Sequence, residues 1–318
     1  MIADRNGKRI DLRGGQMMAT KWKKILRYKY LYLMFLPVLI WYIIFHYVPI
    51  YGLVMVFQDF KMSKGFFGSA FVGLGNFARL FEDKYFWRAF NNTVIISLLR
   101  VAFGCSFEII VALLLNEIRK RAFRKTIQTI LYLPHFLSWV IVASIFIIML
   151  SPDRGIIGPI FTMLGREVPV PLQEAGLFRG ILISTAMWKE VGFGTIIYVA
   201  ALAGIDQELY SAAKIDGADR WKQLLHITLP GISSTIAVMI ILNLGQCLNW
   251  GFDQVYNLYN TLVYETGDIL DTFIVRTAMS DNQFSYAATI GVFRSVIATV
   301  LLFTANKVMK KVMGHTIY

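Results

Sequence analysis

The chain is poor in the residues that mark a soluble, secreted or catalytic protein. Only 16% of its residues are charged, and it has two cysteines among 318 residues. Cys105 and Cys247 both lie inside apolar runs, which is typical of buried small side chains and argues against a disulfide or metal site. His46 and His135 have no acidic residue at ligand spacing, which argues against a metal or catalytic role for either. The sequence also lacks a Gly-x-x-x-x-Gly-Lys-Ser/Thr phosphate loop, so we do not expect this chain to hydrolyse ATP.

Long apolar runs are what the chain has in abundance. Hydrophobic residues make up 56% of it, and about 20 consecutive apolar residues suffice to cross the hydrocarbon core of a bilayer. We predict an all-α polytopic membrane protein with six spans, at about 30–57, 89–116, 126–150, 178–203, 230–248 and from 283 to near Lys307. Pro37 and Pro49 are expected to kink or end the first span, because proline removes a backbone donor.

The distribution of Lys and Arg predicts how these spans are oriented. One side carries nine in the N-terminal tail, five in the 117–125 loop, three in the 204–230 segment and three at the C-terminus. The opposite side carries five, two and one in its three loops. Because cytoplasmic loops are enriched in basic residues, both termini and the 204–230 segment are predicted to be cytoplasmic. The net charge of +12 is therefore interpreted as membrane topology and not as nucleic-acid binding.

Three regions follow from this assignment. Residues 1–29 form a basic cytoplasmic tail without the apolar run and cleavage site of a secretory signal. Residues 30–310 form the transmembrane domain, which includes a polar insert at 204–230, and 311–318 form a short cytoplasmic tail. We find no internal repeat or separate soluble domain.

The polar insert is predicted to contain two short helices. Asp206 and Glu208 suit the first turn of one helix, where acidic groups face the positive end of the dipole, and Gly217 suits a left-handed stop. Asp219 can cap a second helix, and Pro230 fits the first turn of the fifth span. Leu209, Ala212 and Ala213 share one face of the first helix, and the small alanines would allow a close partner. On these residues alone, a docking helix and an amphipathic loop on the membrane surface remain open alternatives.

The same insert resembles the EAA loop of the permease subunits of ABC importers. The resemblance lies in Tyr-Ser-Ala-Ala-Lys-Ile-Asp-Gly-Ala at 210–218 and in Leu-Pro at 229–230. It implies a type I ABC importer permease whose insert forms the coupling helix in a groove of an ATPase subunit. The coupling residues it implies are Glu208, Ser211, Ala212, Ala213, Asp216, Gly217 and Ala218. Ser211 stands where the family usually has Glu, so a salt bridge made through that Glu is not expected here.

Further segments are similar to carbohydrate importers of the maltose-permease type. They are Leu-Pro at 36–37, Phe-His-Tyr-Val-Pro at 45–49, Trp188 with Gly-Phe-Gly at 192–194, and the segments 252–256 and 264–268. The resemblance is strongest to the subfamily that imports complex saccharides, including alginate oligosaccharides. It implies a bacterial inner-membrane protein that works with a second permease chain, two ATPase subunits binding ATP and Mg²⁺, and an extracytoplasmic solute-binding protein. No cofactor is expected in this chain.

Several polar residues fall inside the predicted spans. A charge at the bilayer centre costs about 2.5–3.5 kcal/mol on insertion scales, so such residues usually face a cavity or a partner. We predict a substrate path for an oligosaccharide along Arg100, Glu108, Lys189, Glu190, Asn243 and Gln246. The Arg and Lys in this set would suit the carboxylates of an acidic sugar. The alternative is structural, since Arg100 and Arg294 can also snorkel or form pairs within the bundle.

The outer loop at 249–282 is acidic, with Asp253, Glu265, Asp268, Asp271 and Asp281 against Arg276. It is interpreted either as a solvated acidic face or as the docking surface of the solute-binding protein. The alternatives to an importer subunit are two other classes of function. An ion-coupled secondary sugar transporter usually has inverted repeats and intramembrane ion ligands, and a membrane-embedded enzyme needs a catalytic cluster; neither is evident in the sequence.

Overall fold

The computed structural model describes residues 28–249 and 251–313. The predicted N-terminal tail, apart from Tyr28 and Lys29, lies outside the described residues, as do residues 314–318 of the C-terminal tail. The described chain is almost entirely helical, with one small sheet in which β1 (Gln58–Asp59) pairs antiparallel with β2 (Ala70–Phe71).

Four helical segments are long and apolar enough to cross a membrane, and two bent helix pairs bring the number to six if each pair is one span. The four are the segment 29–57, which begins with α1 (Lys29–Tyr42), then α4 (Lys84–Glu117), α8 (Ala175–Ala203) and the 284–304 part of α16 (Phe284–Met313). The bent pairs are 121–136 with 139–149 and 220–231 with 233–246. The predicted all-α, polytopic fold class is confirmed.

The first span changes its helical geometry along its length. The α-helix α1 (Lys29–Tyr42) continues through Pro37, so of the two expected effects, a kink or an end, the helix does not end there. It passes into a π-helical turn (Ile43–Tyr47) and then a 3₁₀ stretch (Val48–Phe57). Pro49 lies in the first turn of that 3₁₀ stretch and has no N–H to donate to a preceding carbonyl, which disfavours a regular α-helix around it. Apart from its last residues, the span is exposed along its whole surface.

The predicted third span, 126–150, is not one straight helix. It is divided into α5 (Arg121–Tyr132), a 3₁₀ turn (Leu133–Phe136) and α6 (Trp139–Met149), and the two parts meet at 101°. Pro134 is the second residue of the turn, and the backbone is extended at Leu137. Ser138 then caps α6 by accepting a hydrogen bond from the N–H of Ile141 at 3.3 Å.

The fifth span is also bent, by 58°. The insert contains α9 (Gln207–Ile215) and α10 (Arg220–Gln223). A π-helical turn (Leu224–Thr228) and α11 (Leu229–Gly231) lead from α10 to the bend. The main part of the span is α12 (Ser233–Gln246), which ends in a 3₁₀ turn (Cys247–Asn249). Pro230 occupies the first turn of α11, as its missing N–H allows.

Short helices cover the remaining loops. On the side opposite the insert are α2 (Gly65–Gly68), α3 (Gly75–Glu82), α7 (Ile157–Met163) and the 3₁₀ turn Pro171–Gln173. The loop after the fifth span contains α13 (Phe252–Leu258), a 3₁₀ turn (Thr261–Val263), α14 (Tyr264–Gly267) and α15 (Leu270–Met279).

The packing centres on α4 and α8, which lie against each other along much of their length. Near the insert, Ala112 of α4 packs with Tyr198 and Leu202 of α8 and with Ile232. At the opposite end, Phe178 and Leu182 of α8 pack against the α13–α14 region. The two helices therefore carry their mid-span residues into the interior of the bundle.

Candidate functional site

A polar cluster lies at the middle of the two central helices. Arg100 of α4 donates to Glu190 of α8, with Nη2 and Oε2 2.5 Å apart, and its Nη1 lies 3.3 Å from Oε1 of Gln254. Gln254 is fully buried and also donates to the carbonyl of Leu182 and to Thr185 Oγ1, both at 2.6 Å. Gln254 was not among the predicted site residues, because in the sequence it belongs to the outer loop and nothing local places it beside Arg100.

Lys189 faces a different partner from its neighbour Glu190. Its Nζ donates to the carbonyl oxygen of His135 at 2.7 Å, in the 3₁₀ turn that separates α5 from α6. The break removes the regular helical hydrogen bonding there, so this carbonyl is accessible to a side chain. Adjacent helical residues point about 100° apart, which agrees with the two directions.

Trp139, at the start of α6, lies beside both cations. Its ring centre is 5.5 Å from Lys189 Nζ and 6.0 Å from the Arg100 guanidinium carbon. Both distances are within the range of a cation–π interaction. The arrangement combines an indole face with two cations, which are the groups that suit a sugar ring bearing a carboxylate.

A small cavity of about 40 Å³ continues from this cluster toward the insert. It is lined by four of the six predicted path residues, namely Arg100, Glu108, Glu190 and Asn243. Oε2 of Glu108 is buried and has no hydrogen-bond partner among the described residues, and Asn243 Nδ2 lies 3.1 Å from the sulfur of Cys105. The cavity can hold water but is too small for a sugar ring. Lys189 and Gln246 are not among its lining residues, and Gln246 is exposed.

The insert has the local geometry predicted for it. Asp206 Oδ1 accepts from the N–H of Glu208 at 2.9 Å at the start of α9, and Gly217 has a φ of 77° where the helix stops. Asp219 Oδ1 accepts from the N–H of Lys222 at 2.8 Å and caps α10. These features confirm the predicted two-helix insert.

Two hydrogen bonds hold the insert together. The hydroxyl groups of Tyr210 and Thr228 are 3.0 Å apart, and Gln223 Nε2 donates to the carbonyl of Ala218 at 2.8 Å. Ser211 donates to the carbonyl of Gln207 at 3.2 Å, so its hydroxyl is engaged within the helix. The fold of the insert therefore does not depend on the glutamate that the related loops carry at this position.

Much of the insert surface is apolar and is not covered by the other residues that the structure describes. Ile215 is 88% exposed and Trp221 69% exposed, and Leu209 and Leu225 are also exposed. Of the predicted coupling residues, five are exposed and two, Ala213 and Ala218, are half-buried; the exposed ones are Glu208, Ser211, Ala212, Asp216 and Gly217. An exposed apolar surface next to alanine and glycine is typical of a protein-binding site.

The outer loop is only partly a solvated acidic face. Asp253, Glu265 and Asp281 are exposed, whereas Asp268 is fully buried and paired with Arg276 through two hydrogen bonds of 2.5 and 3.0 Å. Burial alone would lower the pKa of Arg276, but its hydrogen bonds to Asp268 and the charge of that carboxylate raise it above the usual value. Asp271 is also engaged, because it pairs with Arg294. Of the two structural alternatives for Arg294, snorkelling and ion pairing within the bundle, the structure therefore shows ion pairing.

Comparisons with known proteins agree with this architecture. Residues 104–310 match the family described as binding-protein-dependent transport system inner membrane component. The chain is 42% identical over 295 residues to the polygalacturonan/rhamnogalacturonan transport system permease protein YteP of Bacillus subtilis, covering 93% of this chain and 92% of that protein. It is 41% identical over 285 residues to the protein LplB of the same organism, covering 90% of each.

A solved structure has the same fold. A chain of a bacterial ABC transporter involved in the import of the acidic polysaccharide alginate superimposes with a TM-score of 0.84 at 38% identity, covering 92% of this chain and 99% of that chain. A second structure of a bacterial alginate ABC transporter, in complex with a periplasmic protein bound to an alginate pentasaccharide, gives a TM-score of 0.83. The predicted resemblance to ABC-importer permeases is thus confirmed, and the chain belongs to the family of inner-membrane components of binding-protein-dependent transport systems.

Proposed function

We propose that this chain is one of two membrane-spanning permease subunits of an ATP-driven importer for acidic oligosaccharides of the uronate type. The substrate class is supported by the relatives, which are named for the transport of polygalacturonan/rhamnogalacturonan and alginate. All of these polymers contain sugar carboxylates. The observation that carries the proposal is that two cations, Lys189 and Arg100, lie beside Trp139 at mid-span. Charges at this depth are costly, and a path for neutral sugars does not need them.

In this proposal the mid-span cluster recognises the substrate. The indole of Trp139 contacts the apolar face of a sugar ring, and Lys189 or Arg100 binds its carboxylate. Glu190 holds Arg100 in position, and Arg100 exchanges Glu190 for the substrate carboxylate during passage. Glu108 and Asn243 line the continuation of the path toward the insert. Gln246 is not supported as a path residue by its position.

The small cavity beside the mid-span cluster is too small for the substrate, so the proposed path requires a second chain. We propose a homologous permease that supplies the opposite wall. The two permeases alternate between outward and inward access, and the solute-binding protein delivers the oligosaccharide to the outer loop. The remaining exposed carboxylates of that loop, Asp253, Glu265 and Asp281, belong to the proposed docking surface.

The insert is the proposed attachment of the motor. Two ATPase subunits bind and hydrolyse ATP with Mg²⁺, and one of them binds the exposed face of α9 between Glu208 and Ala218. The proposed orientation places the insert and both termini in the cytoplasm. An ion-coupled transporter has no need of such an attachment, so binding of an ATPase distinguishes the two functions.

The attachment is tested by disulfide cross-linking in the assembled complex. Ser211→Cys is expected to cross-link to cysteines introduced into the ATPase groove, because Ser211 is exposed on α9. Ser233→Cys, outside the insert at the start of α12, is the control and is expected to remain unlinked. If Ser211→Cys reacts only with lipid-soluble reagents and with no ATPase, the importer proposal is wrong.

The substrate class is tested by replacing Lys189 with Met in reconstituted transporter. A hydrogen bond to a charged group contributes about 1.5–3 kcal/mol, so kcat/KM for an acidic oligosaccharide is expected to fall about 10- to 100-fold. Transport of a neutral oligosaccharide of equal length controls for the lost contact with the His135 carbonyl, and Lys307→Met controls for loss of one charge. Equal effects on the acidic and the neutral sugar would contradict the proposed role.

A further inference from the structure

A second, larger cavity lies where α4 meets the insert, and we call it the inner groove. It has a volume of about 700 Å³, within the range of sites that hold small organic ligands. One wall is apolar and includes Ile110, Leu113 and Leu114 of α4. Leu114 is 62% exposed, so this wall is not covered by the rest of the described chain.

The mouth of the inner groove is basic. Arg119, Lys214 and Arg220 line it, with Glu117 as the one acidic residue of the lining. Arg220 Nη1 is 3.4 Å from Glu117 Oε2, and both side chains of this pair are largely exposed. Arg119 and Lys214 form no ion pair within the described residues. The lining therefore has a net charge that favours an anion at the mouth.

The inner groove is separate from the proposed sugar path. At about 100° per residue, Leu113 and Glu117 lie about 140° and 180° around α4 from Glu108, which lines the small cavity. The two cavities therefore open on different faces of the same helix.

The position of the groove limits what can occupy it. Ile110 lies seven residues before Glu117, the last residue of α4, which places it about 10 Å along the helix axis from the basic mouth. The headgroup region of one leaflet is only about 5–8 Å thick, so the apolar wall reaches the depth of the acyl chains. A soluble ATPase cannot reach this depth, and the basic N-terminal tail would be repelled by the mouth.

We infer that the inner groove binds an anionic phospholipid of the inner leaflet. Its phosphate lies at Arg119 and Lys214, and one acyl chain lies along Ile110, Leu113 and Leu114. Basic pockets between transmembrane helices on the cytoplasmic side are suited to anionic headgroups in this way. The inference rests on the proposed function only in placing the insert on the cytoplasmic side. Because Lys214 belongs to α9, the lipid would brace the helix to which the motor attaches.

The test counts lipids on the assembled transporter by native mass spectrometry, without sugar or ATP. The complex is offered equal amounts of phosphatidylglycerol and phosphatidylcholine with identical chains, and it is expected to retain phosphatidylglycerol preferentially. Arg119→Gln is expected to lower phosphatidylglycerol occupancy about fivefold, the change that corresponds to about 1 kcal/mol for one cation near the surface. Arg121→Gln is the matched control, since Arg121 is close in sequence but does not line the groove, and it is expected to leave occupancy unchanged.

A second measurement locates the lipid. Phosphatidylglycerol with a photoreactive acyl chain is expected to label the peptide containing residues 110–114. The inference is overturned if the complex retains both lipids equally, if the two variants lose equal amounts of phosphatidylglycerol, or if residues 110–114 are not labelled. Absence of the label is the result expected if a partner permease fills the groove. None of these readouts depends on sugar import, so failure of the lipid site and failure of the proposed function are distinguishable.

Discussion

The buried ion pair between Asp268 and Arg276 gives the sharpest test of how the outer loop is held. The carboxylate is fully buried, whereas the Arg276 side chain is 21% exposed. Thr272 Oγ1 also donates to Asp268 at 2.9 Å, and the guanidinium lies 4.4 Å from the ring centre of Tyr264. Among the described residues, replacing Arg276 with Gln leaves the buried carboxylate with the Thr272 hydroxyl as its remaining native side-chain donor.

The two partners are expected to respond unequally. Removing one partner of a buried pair costs about 3–5 kcal/mol, so Arg276→Gln is expected to destabilise α15 by about that amount. Asp268→Asn is expected to cost less, about 1–3 kcal/mol, because Arg276 keeps its contact with Tyr264 and can be hydrated. The double variant is expected to be more stable than the sum of the single effects predicts, since no unpaired carboxylate remains.

Hydrogen exchange in the purified complex measures this locally. A loss of about 3 kcal/mol in opening free energy corresponds to about 100-fold faster exchange of the α15 amides in Arg276→Gln. The amides of α12, which belong to the fifth span and not to the outer loop, serve as the internal control and are expected to be unchanged. Exchange in α15 within twofold of the wild type for both single variants would refute the assigned role of the pair.

Three further predictions concern other parts of the chain. Burial raises the pKa of Tyr259 to about 12, so the folded state keeps the phenol proton at a pH where the unfolded chain has lost it. The free energy of unfolding should therefore fall as the pH rises from about 10 to about 12, and Tyr259→Phe should reduce that fall. Tryptophan fluorescence recorded against pH measures both effects. Gly192→Ala should impair folding, because a Cβ at this position would collide with the carbonyl of Leu131, whereas a Cβ at Gly180 on the same helix meets open space. The yield of monodisperse complex compares Gly192→Ala with the control Gly180→Ala, and equal yields would contradict the close contact. Gly217 has a positive φ, so Gly217→Ala should destabilise the end of α9 by about 1–2 kcal/mol. A pull-down titration should then show ATPase binding about 5- to 30-fold weaker, and an unchanged affinity would show that the left-handed stop is not needed.

The features that the sequence predicted best depend on neighbours within one or two helical turns. Asp206 and Asp219 cap the helices that follow them, and Gly217 provides the left-handed stop, because each of these roles needs only the backbone of the next few residues. The apolar runs were predictable for a similar reason, since the length needed to cross a bilayer is a property of the segment itself.

The bends were harder to predict than the spans. The 126–150 run contains Pro134 and Ser138, which are proline and capping signals, yet its uniform hydrophobicity favoured a single helix. The observed angle of 101° brings the His135 carbonyl to Lys189, a contact between residues 54 positions apart. No local pattern contains that information.

The amino-acid sequence by itself determined the class of the protein: six apolar segments, a polar insert with its own caps, and several charged residues inside the apolar segments. Only the tertiary structure decided which charges meet. Arg100 reaches Glu190 and Gln254, and Asp268 is buried against Arg276 while Glu265, three residues earlier, is exposed. The physical reason is that caps and hydrophobic length act over a few residues, whereas the partner of a buried charge is set by how distant helices pack.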